Sequence, residues 1–169
     1  MRQPQKLAFI ILVLALVGGA FIYLWYVSAS RESRYVDTID ARKEGVVALG
    51  TSVARQWMND AALASLEFEG EGRTMLWKLN FTSLKSQKGY RVEIQNGEVV
   101  STEEIGSARG GSVLPSNIIS AEEAVRKARA IPGFKDALVI SVELQYGPDG
   151  HTWYWGVTTD KGVITIKAN

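Results

Sequence analysis

The run from Leu7 to Val27, LAFIILVLALVGGAFIYLWYV, is 21 residues long and carries no charge. A hydrocarbon core about 30 Å thick takes roughly 20 residues of helix to cross. The run therefore predicts a membrane-spanning helix that holds the 142 residues after it on one side of a bilayer. Tyr23, Trp25 and Tyr26 gather at its C-terminal end, where an aromatic belt meets the headgroups. A cleaved signal peptide is the competing reading. Val27-Ser28-Ala29 offers a small-residue pattern for it, but the apolar region of a secretory signal is typically about 7–15 residues. Gly18-Gly19 lacks the spacing of a helix-dimer motif.

Arg2 and Lys6 precede the run, and Arg31, Arg34, Arg42 and Lys43 follow it closely. That tally of Lys and Arg leans against export. The layout leans the other way, because a six-residue tail ahead of a span is the pattern of a signal-anchor. The expected placement is a single-pass protein of the cell membrane, residues 1–6 cytoplasmic and the C-terminal domain extracytoplasmic. The chain has no cysteine, which excludes a disulfide framework, thiol chemistry and a lipid-bearing cysteine within it.

Without Arg2 and Lys6, 17 Lys and Arg face 18 Asp and Glu, a net charge of −1. No electrostatic footprint for nucleic acid is present. Residues 28–40 are polar and read as a juxtamembrane linker. A helix is expected over 41–62, with Asp40 as N-cap and Val46, Leu49, Val53 and Trp57 on one face; the alternative is one helix running on continuously from the apolar run. Gly45 and Gly50 weaken it by about 1 kcal/mol each relative to alanine. Strands follow. Leu66 to Glu69 alternates, and Gly70-Glu71-Gly72 turns. Met75, Trp77, Leu79 and Phe81 then share a face, and Tyr90, Val92 and Ile94 make a third alternating run. Asn96-Gly97 is a strong hairpin signal, with Glu98 to Ser101 returning.

Residues 106–117, rich in Gly, Ser and Pro, read as a linker between a first unit, 41–105, and a second, 118–169. Ser120 and Glu123 form a capping box, and Ala124, Val125, Ala128 and Ile131 make a buried stripe ended by Pro132-Gly133. Leu138, Ile140, Val142, Leu144 and Tyr146 line one face of a long strand. Gly147 to Gly150 turns. Trp153, Trp155 and Val157 alternate on the return, and Val163 to Lys167 closes the sheet after Asp160-Lys161-Gly162. Each half is a helix followed by an antiparallel meander.

Ile119-Ser120-Ala121-Glu122-Glu123-Ala124, Ala128, Trp155-Gly156-Val157 and Asp160-Lys161-Gly162-Val163 together resemble the PepSY domain, over about residues 118–167. Residues 41–104 resemble it more weakly, mainly in their last hairpin. The resemblance implies an α+β fold: one N-terminal transmembrane helix followed by two PepSY-like units of helix plus meander. PepSY domains are regarded as inhibitory or regulatory binding modules, so it also implies a non-catalytic envelope protein with no catalytic residues to transfer.

Enzyme signatures are nearly absent. His151 is the sole histidine and sits beside a turn. No metal-ligand spacing, Cys–His pair or GxSxG is present, so no catalytic residue, cofactor or metal is expected, and no small-molecule substrate is evident. Glu67, Glu69 and Glu71 share a strand face and its turn, a pattern that suits a basic peptide or a solvated surface. Trp77, Trp153 and Trp155 read as core; Tyr154 points the other way and is a candidate contact. Asn80-Phe81-Thr82 is a glycosylation sequon inside a strand, read as chance. The expected partners are a lipid bilayer, through the run from Leu7 to Val27, and an envelope protein or peptide met by Tyr154, Glu67 and Glu69. The alternative is a small accessory subunit of a membrane complex.

Overall fold

No proline or glycine lies between Ala20 and Glu44, so no residue there breaks a helix once it has started. The computed structural model describes residues 3–69, 75–107 and 110–169, with side chains of the first helix from Leu16 onward, except Trp25, Ser28, Ala29 and Ser33. That helix, α1, runs unbroken over Gln3–Trp57. The polar stretch 28–40 is part of it, and it ends before Ala61 and Ala62, which open a strand. The turn expected at Gly70-Glu71-Gly72 lies outside the described residues.

Two expectations of fold class are corrected. Among the described residues no helix is long and apolar enough to cross a membrane, so the transmembrane helix and the single-pass arrangement do not stand. The helix goes on past Val27 into charged sequence. The first part of the expected span, 7–15, has side chains outside those described. Second, the strands do not stay within two helix-plus-meander units. All seven join one antiparallel sheet in the order β4-β3-β2-β1-β5-β6-β7. The strands are β1 (Ala61–Glu69), β2 (Leu76–Ser83), β3 (Gly89–Gln95), β4 (Glu98–Ile105), β5 (Val139–Tyr146), β6 (Trp153–Thr159) and β7 (Gly162–Lys167). A short helix, α2 (Ala121–Arg129), lies between β4 and β5 in sequence.

The chain divides into two units, 1–34 and 35–169. In the first, Leu16, Val17, Phe21, Ile22, Tyr23, Leu24 and Tyr26 are each at least half exposed. In the second, the helices cover one sheet face. Val36, Ile39, Val46 and Ala54 of α1 bury against Leu66, Phe68, Trp77, Leu79, Phe81, Val92 and Ile94. Tyr35, Phe68 and Trp77 make successive edge-to-face contacts at 5.7 and 5.2 Å, a geometry that suits ring quadrupoles. At Gly50 the helix comes close to the sheet: a methyl group there would lie 2.6 Å from Leu79 Cδ2 and 3.4 Å from Phe81 Cζ. The glycine that weakens the helix in isolation is therefore what lets it seat. Gly45, exposed with nothing near, has no such role.

On α2, Ser120 caps as expected, its Oγ accepting from Glu123 N–H at 3.0 Å. The Glu123 carboxylate is taken by Arg126 at 2.6 Å. The helix ends at Arg129, so Ile131 stays 38% exposed rather than completing the stripe. Asp40 is not the N-cap of a new helix. From within α1 its carboxylate accepts from Ala121 N–H at 2.8 Å and Glu122 N–H at 3.2 Å, capping α2 from the side.

Trp77, Trp153 and Trp155 are core residues. The Trp155 indole N–H donates to Ile119 O at 3.0 Å, and Lys43 lies 5.6 Å over its ring. Asn96 and Gly97 have φ of 55° and 83°, as a tight hairpin of the primed type requires. The long strand departs from its expected pattern. A register shift between Val139 and Ser141 turns Ile140 out to 62% exposure while Val139 packs on the core; such a bulge moves side chains to the other face. Residues 110–114 are strapped to the sheet: Ser112 N–H donates to Leu63 O at 2.8 Å, and Leu114 packs on the core.

Candidate partner-binding face

Among the described residues no helix covers the other face of the sheet. Period-2 alternation places there the residues between the core positions. One rung crosses all seven strands: Glu103, Arg91, Asn80, Ser65, Gln145, Tyr154 and Lys167, in order from β4 to β7. It is hydrogen-bonded over its first four members. Arg91 donates from Nη1 to Glu103 Oε1 at 3.1 Å and from Nε to Asn80 Oδ1 at 3.0 Å. Asn80 donates to Ser65 Oγ at 2.9 Å and Glu67 Oε1 at 3.1 Å. The asparagine of the sequon is thus buried and fully engaged.

A second rung lies beside it. Ser101 faces Glu93, Glu93 faces Lys78 and Lys78 faces Glu67. The β1–β5 pairing of Leu66 with Leu144 brings Glu143 next to Glu67. Burial pushes the Glu143 carboxyl above its ordinary 4.5, and the charge of Glu67 adds to the shift. Lys78 pairs with Glu69 at 2.9 Å. That ion pair holds the lysine above its usual range, so the ammonium stays charged.

The expected contact residues Glu67, Glu69 and Tyr154 all lie on this face. None is an isolated surface group. Glu67 accepts from Asn80, Glu69 from Lys78, and the Tyr154 hydroxyl donates to Asp149 Oδ2 at 3.2 Å. The Tyr154 ring closes over Gly147, where a methyl group would lie 2.4 Å from Cε2. Tyr154 is half-buried on this face, and its ring braces the β5–β6 turn. Asp149 organises that turn by accepting from His151 and Thr152 N–H groups, and its carboxyl is drawn down to about 2, first by the hydrogen bond of the Thr152 side chain and then by that of His151 N–H. His151 is an exposed residue of this turn.

Arg91, Asn80, Glu93, Glu103 and Glu143 belong to the same face and were not among the expected contacts. Their signal was alternation with buried neighbours; the first four are joined by the local pairings of β2, β3 and β4, and Glu143 joins them through the pairing of β1 with β5, which local sequence does not encode.

Two features remain open to other molecules. One is the polar face itself. The other is β4, whose residues are exposed from Glu98 through Glu104, Val100 at 54%. At its helix side Trp57 stacks on Tyr90 at 4.7 Å and donates from Nε1 to Glu104 Oε1 at 2.9 Å. Among the described residues no group of three or more potential ligands is arranged to hold a metal ion.

No family model matches the chain, and no curated protein matches it. The likeness to the PepSY domain rests on the residues quoted above alone. Among solved structures, the chain is similar to the crystal structure of a "putative lipoprotein" from Clostridium difficile 630. The TM-score is 0.51 at 16% identity, covering 70% of this chain and 82% of that one. At that identity the likeness is one of fold.

Proposed function

We propose that this chain is a non-catalytic binding module of the cell envelope that engages a protein or peptide partner through its helix-free sheet face and the adjoining edge strand. The observation that carries the reading is the cross-strand network Glu103–Arg91–Asn80–Ser65/Glu67, which holds a polar surface in fixed geometry on a well-packed sheet. Pre-ordered polar groups bind with less loss of side-chain freedom than mobile ones. Association with a membrane is supported by the exposed apolar side chains from Leu16 to Tyr26 and, for the envelope, by the description of the Clostridium difficile structure. The PepSY-like residues of the second half agree with a regulatory role.

The test places a photo-crosslinking residue in the full-length protein in its own cells, at Gln145 or Lys167 on the open face and at Lys127 on α2. The expected result is one adduct from both face positions, absent from Lys127 and lost when Arg91 is replaced by alanine. Equal labelling from all three positions would remove the reading.

A further inference from the structure

We infer that β4 receives an extended, lysine- or arginine-rich segment of a partner as an eighth strand of the sheet. The inference rests on the binding-module reading and adds to it a mode and a chemistry. An edge strand presents a row of unpaired backbone N–H and C=O groups, and strand addition uses them for affinity while alternate side chains supply specificity. At eight residues β4 is longer than β7, the six-residue strand at the other edge.

Charge selects the occupant. The β3–β4 hairpin, 89–105, contains Glu93, Glu98, Glu103 and Glu104 against Arg91 alone, a net charge of −3 in a chain whose total is +1. Carboxylates stand on both faces of β4, Glu103 also paired with Arg91 and Glu104 also accepting from Trp57. Glu103 pairs across to Arg91 on the polar face and Glu104 across to Tyr90 on the helix face. A cation arriving on the helix side also meets the stacked Trp57 and Tyr90 rings. A second copy of β4 is the wrong occupant, because two hairpins of −3 would be set edge to edge, where facing like charges destabilise.

The test uses the full-length protein, a peptide alternating lysine and valine, and its counterpart with glutamate for lysine. Amide hydrogen exchange is read in β4 and β7. The lysine peptide is expected to protect alternate amides of β4 and leave β7 unchanged, with binding that weakens as salt rises. The glutamate peptide is expected not to protect. The double variant Glu98→Gln/Glu103→Gln is expected to bind the lysine peptide about fivefold more weakly, two exposed charge pairs being worth about 1 kcal/mol together. Equal protection by both peptides, or protection at β7 instead, would overturn the inference. So would a double variant that self-associates in sedimentation while binding the peptide unchanged, since the glutamates would then only guard the edge against other copies. Face-specific crosslinking from Gln145 with no protection at β4 would sink strand addition and leave the binding-module reading standing.

Discussion

At the scale of single residues, Glu143 is a carboxyl whose environment opposes its charge. It sits half-buried on the open face beside Glu67, and burial raises its carboxyl above the ordinary 4.5. The folded state therefore holds this proton more tightly than the unfolded chain does. The stability it contributes is complete below the ordinary value and is lost as pH rises through the raised one. Glutamine cannot ionise, so Glu143→Gln is expected to melt higher than the parent near neutral pH, with the gap closing as pH falls toward 4.5. Thermal melts of the two proteins across that range check it. A gap that stays constant would mean the carboxyl is not under strain from burial. The groups facing it are Glu67 on β1 and, across that strand, Lys78 on β2; the lysine's ion pair goes to Glu69, its charge also acts on Glu67, and the Glu67 charge still adds to the upward shift of Glu143.

At the scale of elements, the alternating strands were legible wherever burial had one side. Trp77, Leu79 and Phe81, then Tyr90, Val92 and Ile94, and then Trp153, Trp155 and Val157 all take the expected face. Three departures have physical causes. The helix runs through the polar stretch 28–40 because polar residues without proline or glycine do not stop it. A bulge turns Ile140 out, and a bulge leaves no mark in a period-2 pattern. Asp40 caps a helix 81 residues distant in sequence rather than its own, and capping rules see only neighbours. That cap yields a prediction. Asp40→Ala removes two charge-assisted bonds from the α2 N-terminus and the carboxylate 3.8 Å from the buried Lys43 ammonium. A lost cap costs about 0.5–2 kcal/mol, and the result should sit at the upper end because a buried cation loses its partner. Urea titration gives the magnitude, and exchange of the Ala121 and Glu122 amides locates it. Unchanged exchange there would show that Ser120 alone suffices.

At the scale of the whole molecule, the decisive contact is the one that sequence hides. Each meander is built from local turns, but whether two meanders remain two sheets or become one depends on β1 meeting β5, with Ser65 opposite Gln145 and Leu66 opposite Leu144. The same contact assembles the candidate face, since it sets Glu67 beside Glu143 and completes the rung from Glu103 to Lys167. Its energetic base is apolar: Leu66 and Leu144 are fully buried and share one core with Trp77, Trp155 and α1. A joint with so few registered pairs gains little from its ladder, so cooperativity between the halves must come from that shared core. Leu66→Ala deletes buried volume at the joint and should cost about 2–5 kcal/mol. If the core is shared, the loss spreads to both sides. Exchange-protected amides of β3 and of β6 should then lose protection by the same amount, and tryptophan fluorescence and backbone dichroism should keep a common urea midpoint. If the β3 amides weaken while those of β6 hold, the halves are separately stable units resting edge to edge, and the continuous face they present would come apart whenever the joint opens.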